Sequence, residues 1–400
     1  MNNFIALVAI QGANALFPLL AFPLIMHHTG DGVFANLVTG EAWAILVMAF
    51  CLLGFDISGI KKIHSGDVGD VRNIFSLISV SRIVVFVLIF FISLFFNESA
   101  WFDYYIGFLL IPFGTILQSL YYFQANGSNN IPAFIIVPLR VIALLVIVAC
   151  CFFDANPIIF SYVIGGSYLI SGIICFSFIY KKIGFNNDVF NFYKIYCFIK
   201  KDLYTFLGNI SVVFYRGLNV IIFSHFSSST ELVASYAMAE KFVKIVQSAV
   251  LPISNFFFPK TIKKIIEQEK INSIKIIWKD TRIQLVIVAI LVFLIDVALI
   301  LMKIKFPFVL KKEVIDLFLL MSLTPLFGVA SFMVGFVGLN ALSYERVFAK
   351  IVAVVGIFSI LMVLFASIES NAWGVAVIYF LSEVMILVLS FIYLWNKVGR

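Results

Sequence analysis

The chain has 400 residues, 62% of them hydrophobic and only 12% charged, with a mean hydropathy of +1.09 and a formal net charge of +7. A water-soluble globule carries about 45–50% apolar and roughly 25% charged residues, so this composition excludes one and describes a chain solvated mainly by lipid. The positive balance does not point to nucleic acid, because the basic residues lie beside apolar runs and no polar domain presents them.

The elements follow in chain order. Met1 to Met26 and Leu317 to Tyr344 contain no charge, and about 20 apolar residues suffice to cross the hydrocarbon core as a helix. Only helices or closed barrels satisfy their backbone in lipid, and the alternating strand pattern of a barrel is missing. The first run lacks a basic leader region and contains Pro18 and Pro23, which reads as a permanent span rather than a cleaved signal. Predicted spans are Phe4–Met26, Ala35–Phe55, Asn73–Phe96, Phe102–Phe123, Ile131–Phe153 and Pro157–Tyr180. A polar interval, Lys181–Asp202, precedes Leu203–His225, Leu232–Phe258, Arg282–Met302, Val314–Val337, Val347–Ile368 and Trp373–Trp395. The expectation is an all-α integral membrane protein of about twelve transmembrane helices in two six-helix bundles around a central cavity. Its parts are residues 1–180, a linker at 181–202, and residues 203–400. Span four carries Pro112-Phe113-Gly114 and span ten Pro325-Leu326-Phe327-Gly328, an echo that suggests duplicated halves.

Nineteen Lys and Arg residues fall in the loops on the side of the N-terminus, against Lys303, Lys305, Lys311 and Lys312 opposite. The positive-inside rule then places both termini in the cytoplasm, with the loop between spans nine and ten as the exception. Pro259–Thr281 mixes isoleucines with lysines and reads as a basic amphipathic helix lying on the cytoplasmic leaflet. The five cysteines have no zinc-like spacing and read as small packing residues. The four histidines fall at span edges. No cofactor or metal is expected.

No nucleotide-binding, nucleophile-elbow or HExxH motif occurs, and no large external loop is present to hold an acceptor, which argues against an enzyme. Charges inside the spans remain. A charged residue at the bilayer centre costs at least ~2.5–3.5 kcal/mol and calls for a partner or a wet cavity. Asp56 sits near a span end, within reach of solvent, and Arg82 lies in span three. Glu240 and Lys244 are four apart on one helix, a favourable pair that needs no function. Arg140, Arg216, Lys241 and Glu383 lie deep in four spans from both halves, and Asp296 lies in a fifth. Two readings stand: a hydrated cavity lined by cations that bind an anion, or structural ion pairs such as Arg216 with Glu383. Arginine suits phosphate because its planar fork bonds bidentately and keeps its charge.

Gln11-Gly12-Ala13-Asn14, Pro18-Leu19-Leu20, Pro23, Gly30, Gly54-Phe55-Asp56 and Ser58 resemble the opening of Wzx-type O-antigen flippases, as do Tyr122-Phe123-Gln124, Arg140, Tyr236-Ala237-Met238-Ala239-Glu240-Lys241 and Pro259 further on. These flippases form the polysaccharide-biosynthesis branch of the multidrug/oligosaccharidyl-lipid/polysaccharide exporter superfamily. Gln124-Ala125 and Ser235 depart from the family's usual glycines, which bears on local packing. The resemblance implies a non-enzymatic flippase of the bacterial inner membrane. It would carry an undecaprenyl-pyrophosphate-linked oligosaccharide from the cytoplasmic to the periplasmic leaflet by alternating access. Arg140, Arg216 and Lys241 would line its cationic cavity, with Glu383, Asp296 and Glu240 as coupling or ion-pair acids. Expected partners are the lipid-linked oligosaccharide, the bilayer and other polysaccharide-assembly membrane proteins, with no nucleic acid. A multidrug or cation antiporter of the same fold and a membrane polysaccharide polymerase or ligase are the alternatives.

Overall fold

A computed structural model describes the chain except for residues 1–2, 65–67, 187–188, 190–191, 202, 268–272, 306–310, 340, 343 and 399–400. The described residues are helical nearly throughout. Among the described residues, ten helical stretches are long and apolar enough to cross a membrane, matching the first six and last four predicted spans. The other two predicted spans fall on helices of 24 and 38 residues, the second with an acidic and basic N-terminal half. The outer surface is apolar: Phe91, Leu145, Phe293 and Val354 are each more than half exposed. The interior instead holds arginines and carboxylates, the arrangement lipid solvation favours.

The chain divides into two compact units, Met1–Val213 and Phe214–Arg400. The first begins with α1 (Asn3–Thr29), α2 (Asp31–Leu52), α3 (Phe55–His64) and α4 (Val68–Ser93). Span four follows in three pieces, α5 (Phe102–Phe108), α6 (Leu110–Gln118) and α7 (Leu120–Ala125), then α8 (Asn130–Phe152), α9 (Ile158–Ile183), α10 (Phe192–Lys201) and the start of α11 (Leu203–Phe226). The tightest seam joins span four to α9. A Cβ on Gly114 would stand 2.3 Å from the Tyr168 carbonyl carbon, and one on Gly172 would stand 2.4 Å from the Gly114 carbonyl oxygen. Gly107 and Gly165 meet in the same way one heptad earlier. Small residues let backbones touch where lipid offers no hydrophobic drive for helices to associate.

Two non-glycine residues interrupt spans of this unit in the left-handed region: Leu53 (φ 51) between α2 and α3, and Ser119 (φ 44) between α6 and α7. The pieces beyond the two breaks pack on each other around Phe55, Ile63, Phe75, Tyr121 and Tyr122. Arg82, 1% exposed, bridges the region by donating to the Leu52 carbonyl (3.2 Å) and to Asp56 (2.9 Å). It thereby satisfies one of the orphan carbonyls at the end of α2. Asp56 is half-exposed, as its place near a span end implies.

The second unit holds the end of α11, α12 (Thr230–Glu267), α13 (Ser273–Lys305), α14 (Lys312–Met321), α15 (Thr324–Ser331), a π-helix (Phe332–Leu339), α16 (Glu345–Ile368) and α17 (Ala372–Val398). Span ten is therefore also divided, by the turn at Ser322–Leu323 and by the change from α- to π-helix at Phe332. The expected amphipathic helix over Pro259–Thr281 is corrected. Residues 259–267 continue α12, residues 268–272 lie outside the described set, and α13 starts at Ser273. A 38-residue helix is about 57 Å long and outruns a ~30 Å core, so its end carries the basic stretch beyond it. Ile277 packs inward against Val334, Leu339 and Leu394 rather than onto a leaflet. The lysines of the exceptional loop have company: Lys303 pairs with Asp316, and Lys311 pairs with Glu231 at 2.7 Å.

Candidate functional site

In the first unit, α8 places Arg140 ten residues into its span and 2% exposed. Its Nε donates to Asn14 Oδ1 of α1 (3.1 Å) and its Nη1 to Ser167 Oγ of α9 (2.6 Å). The guanidinium carbon lies 3.5 Å from the Tyr168 ring centroid and 5.9 Å from that of Phe17. Its Nη2 has no hydrogen-bond partner among the described residues, and none of their carboxylates pairs with it. A buried permanent cation is thus held by an amide, a hydroxyl and a π face, all neutral. Cation–π contact and two hydrogen bonds offset part of the desolvation, and the remaining donor is buried without a partner among the described residues. Local sequence explains the cradle. Pro18 in α1 cannot donate to the carbonyl four residues earlier, which is that of Asn14, so the helix ladder is interrupted beside the amide that holds Arg140. The close approach of Gly114 to the Tyr168 backbone sets the height of the ring beneath the guanidinium.

In the second unit, Arg216 of α11 reaches Glu383 of α17. Its Nε donates to Oε1 at 2.7 Å and its Nη2 lies 2.6 Å from the same oxygen. Glu383 is completely buried and accepts further bonds from Tyr215 Oη (3.2 Å, to Oε1) and Ser331 Oγ (3.1 Å, to Oε2). The Arg216 side chain keeps 30% exposure, so the pair has one dry and one wetter end. Beside it Tyr379 donates to Gln247 at 3.3 Å. Gly328 of span ten stands over the cluster, a Cβ there lying 3.6–3.7 Å from Gln247 Nε2, Arg216 Nη2 and Glu383 Oε2. Glu240, almost fully buried, pairs with Lys244 at 2.8 Å, one turn along α12, as the spacing predicts. Lys241 is half-buried on the same helix. Asp296 of α13 is half-buried, with Oδ1 lacking a hydrogen-bond partner among the described residues.

The structure therefore brings Arg216 and Glu383 together and sets Glu240 against Lys244. Arg140 stands in the other unit with neutral partners. Sequence reasoning missed the Arg82–Asp56 pair, the Asn14–Ser167–Tyr168 cradle, and the Tyr215 and Ser331 donors to Glu383. Asn14 carried a signal, as part of the Gln-Gly-Ala-Asn run beside Pro18, and Arg82 and Asp56 stood out as charges within spans without being paired. These residues sit 26 to 168 residues from their partners.

Known proteins share the family and the fold of this chain. The chain is 22% identical, over 99% of its length and 97% of the other's, to an Escherichia coli (strain K12) protein named "Putative O-antigen transporter". Its fold matches an inward-facing MATE family multidrug resistance transporter of the MOP superfamily (TM-score 0.68, 11% identity, 98% of each chain). It also matches an outward-facing MATE family transporter (TM-score 0.62, 13% identity, 100% of this chain and 94% of that one). A family model described as "Polysaccharide biosynthesis protein" matches residues 1–264. With its multi-pass transporter fold, the chain belongs to the polysaccharide biosynthesis protein family.

Proposed function

We propose that this membrane transporter, rather than enzyme, flips an undecaprenyl-pyrophosphate-linked oligosaccharide, an O-antigen-type repeat unit, across the bacterial inner membrane. The direction is from the cytoplasmic to the periplasmic leaflet, with both termini in the cytoplasm. The observation that carries the reading is Arg140, a buried cation inside a membrane-spanning bundle with neutral partners and an unused donor. The lipid tail of such a substrate can stay in hydrocarbon, whereas its pyrophosphate needs fixed positive charge to replace water. Arg140 supplies a charge that no acid among the described residues pairs with. Arg216 and Lys241 are its counterparts in the second unit, Arg216 exchanging between Glu383 and a phosphate oxygen. Asp296 and Glu240 are the remaining acids through which a coupling ion could act. An anion leaving a negative interior gains about 2.3 kcal/mol per charge per 100 mV, which favours export.

The test uses purified protein in liposomes loaded on one side with a polyprenyl-pyrophosphate-linked oligosaccharide. The expected result is passage to the other leaflet without lengthening or cleavage of the glycan, lost in Arg140→Ala. Growth of the glycan, or passage unchanged by Arg140→Ala at normal protein abundance, would overturn the proposal.

A further inference from the structure

We infer that the cleft between α4 and α9 at the membrane edge bearing Arg72 and Tyr180 binds the phosphate headgroup of an anionic phospholipid. This surface lies within the first unit and is separate from the Arg140 cradle. The cleft encloses about 550 Å³ and is lined by Arg72, Phe176, Tyr180, Gly184 and Phe185.

The site is built rather than incidental. Gly184 (φ +73) ends α9 in a conformation that side chains rarely adopt, and the chain turns back over the start of α4. A Cβ at Gly184 would lie 3.5–3.8 Å from the Arg72 guanidinium atoms. Arg72 Nη2 donates to the Phe185 carbonyl, the Asn186 amide donates to Ser76 Oγ at 2.9 Å, and the Asn186 side chain bonds that of Asn73. These bonds hold the guanidinium across the mouth of the cleft, and among the described residues its Nε and Nη1 have no hydrogen-bond partner. Arg72 has no carboxylate partner among the described residues. The nearest acid in sequence, Asp70, stands two positions earlier on α4, a spacing that directs it to a different face. Lys181 and Lys182 of the last turn of α9 are exposed and add to the positive field.

Polarity is graded along the cleft as an amphiphile requires. Tyr180 lies at the rim and Phe176 four residues, about 6 Å, deeper. Ile173, one turn further into the span on the side of α9 nearest Phe176, is exposed and apolar, so the wall continues into hydrocarbon. A free anion has no use for that apolar wall, and a neutral zwitterion gains little from one arginine and two lysines. An anionic phospholipid uses both, with its phosphate on Arg72 and its first methylenes along Phe176.

The experiment titrates the purified full-length protein in detergent with mixed micelles of phosphatidylglycerol, then of phosphatidylcholine, and separately with inorganic phosphate. The expected result is saturable phosphatidylglycerol binding that Arg72→Gln weakens about tenfold and Lys181→Gln/Lys182→Gln weakens about threefold. Thermal melting of the lipid-free variants identifies any loss of fold, and a destabilised Arg72→Gln is replaced by Phe176→Ser, which removes the apolar wall but leaves the charge. Equal binding of the two lipids overturns the inference, as does wild-type affinity in the two variants. Phosphate competing at equal concentration with phosphatidylglycerol would also overturn it, because the site would then be one for anions alone.

Discussion

Arg140 and Arg216 are the same residue type, each in the interior of its own unit, yet they are stabilised in opposite ways. Arg216 is matched by a buried carboxylate that itself gathers two hydroxyls. Arg140 is matched by an amide, a hydroxyl and an aromatic face, and so keeps its full charge. The difference shows that an intramembrane arginine does not by itself mark a binding site. Its complement decides whether the charge is matched by an acid or held by neutral groups alone. The same comparison extends to the glycines at matching places in spans four and ten. Gly114 is in backbone contact with its neighbour helix, whereas Gly328 faces side chains at ordinary distance.

The largest effect expected from this contrast is at Arg216. Arg216→Ala strands the wholly buried Glu383 and should cost about 3–5 kcal/mol, seen as a fall in membrane abundance. Arg216→Ala/Glu383→Ala should recover most of that abundance. Normal abundance of the single variant would break the comparison, because the pair would then hold nothing together. Next comes Gly114→Ala, whose Cβ would overlap the Tyr168 backbone. A loss of about 1–3 kcal/mol in thermal or denaturant unfolding is expected, against well under 1 kcal/mol for Gly328→Ala. Arg140→Ala should lower stability by only about 1 kcal/mol, since it leaves no buried charge behind, while abolishing surface polysaccharide. Arg140→Lys keeps the charge without the fork and should retain part of the export. A drop in abundance as large as that of Arg216→Ala would show that Arg140 is structural after all. The smallest effect is expected for Lys311→Gln, which breaks a solvent-exposed ion pair with Glu231 and should change stability by under about 0.5 kcal/mol.

Much of the architecture was legible because lipid imposes a simple rule on composition. Long apolar runs marked ten spans, nine of them to within a few residues and span nine starting eight residues late, and the four-residue spacing of Glu240 and Lys244 foretold their bond. The internal breaks were not legible. Leu53 and Ser119 carry no left-handed signature, and neither they nor the π-helix at Phe332–Leu339 interrupt the hydropathy that defines a span. Arg216 with Glu383 was one of two open readings, because a buried acid in one span demands a cation in another without saying which. The neutral cradle of Arg140 had no such demand to betray it: Asn14, Ser167 and Tyr168 are ordinary residues until folding brings them around a guanidinium. The surface helix expected over Pro259–Thr281 went astray because a basic, isoleucine-rich stretch looks alike whether it lies on a leaflet or ends a long helix.

The glycine seam between span four and α9 has a consequence for how such chains can diverge. Four positions, Gly107, Gly114, Gly165 and Gly172, admit no side chain without moving a backbone, while Ile170, Ile173, Ile174 and Phe178 on the same α9 need only be oily. Neutral drift is therefore channelled to the outer shell, where any apolar residue substitutes for another. Chains of this fold can diverge widely in the outer shell, provided the few sterically closed places hold. Identity along the whole chain underestimates kinship of this kind, and a comparison weighted toward the seam would recover it.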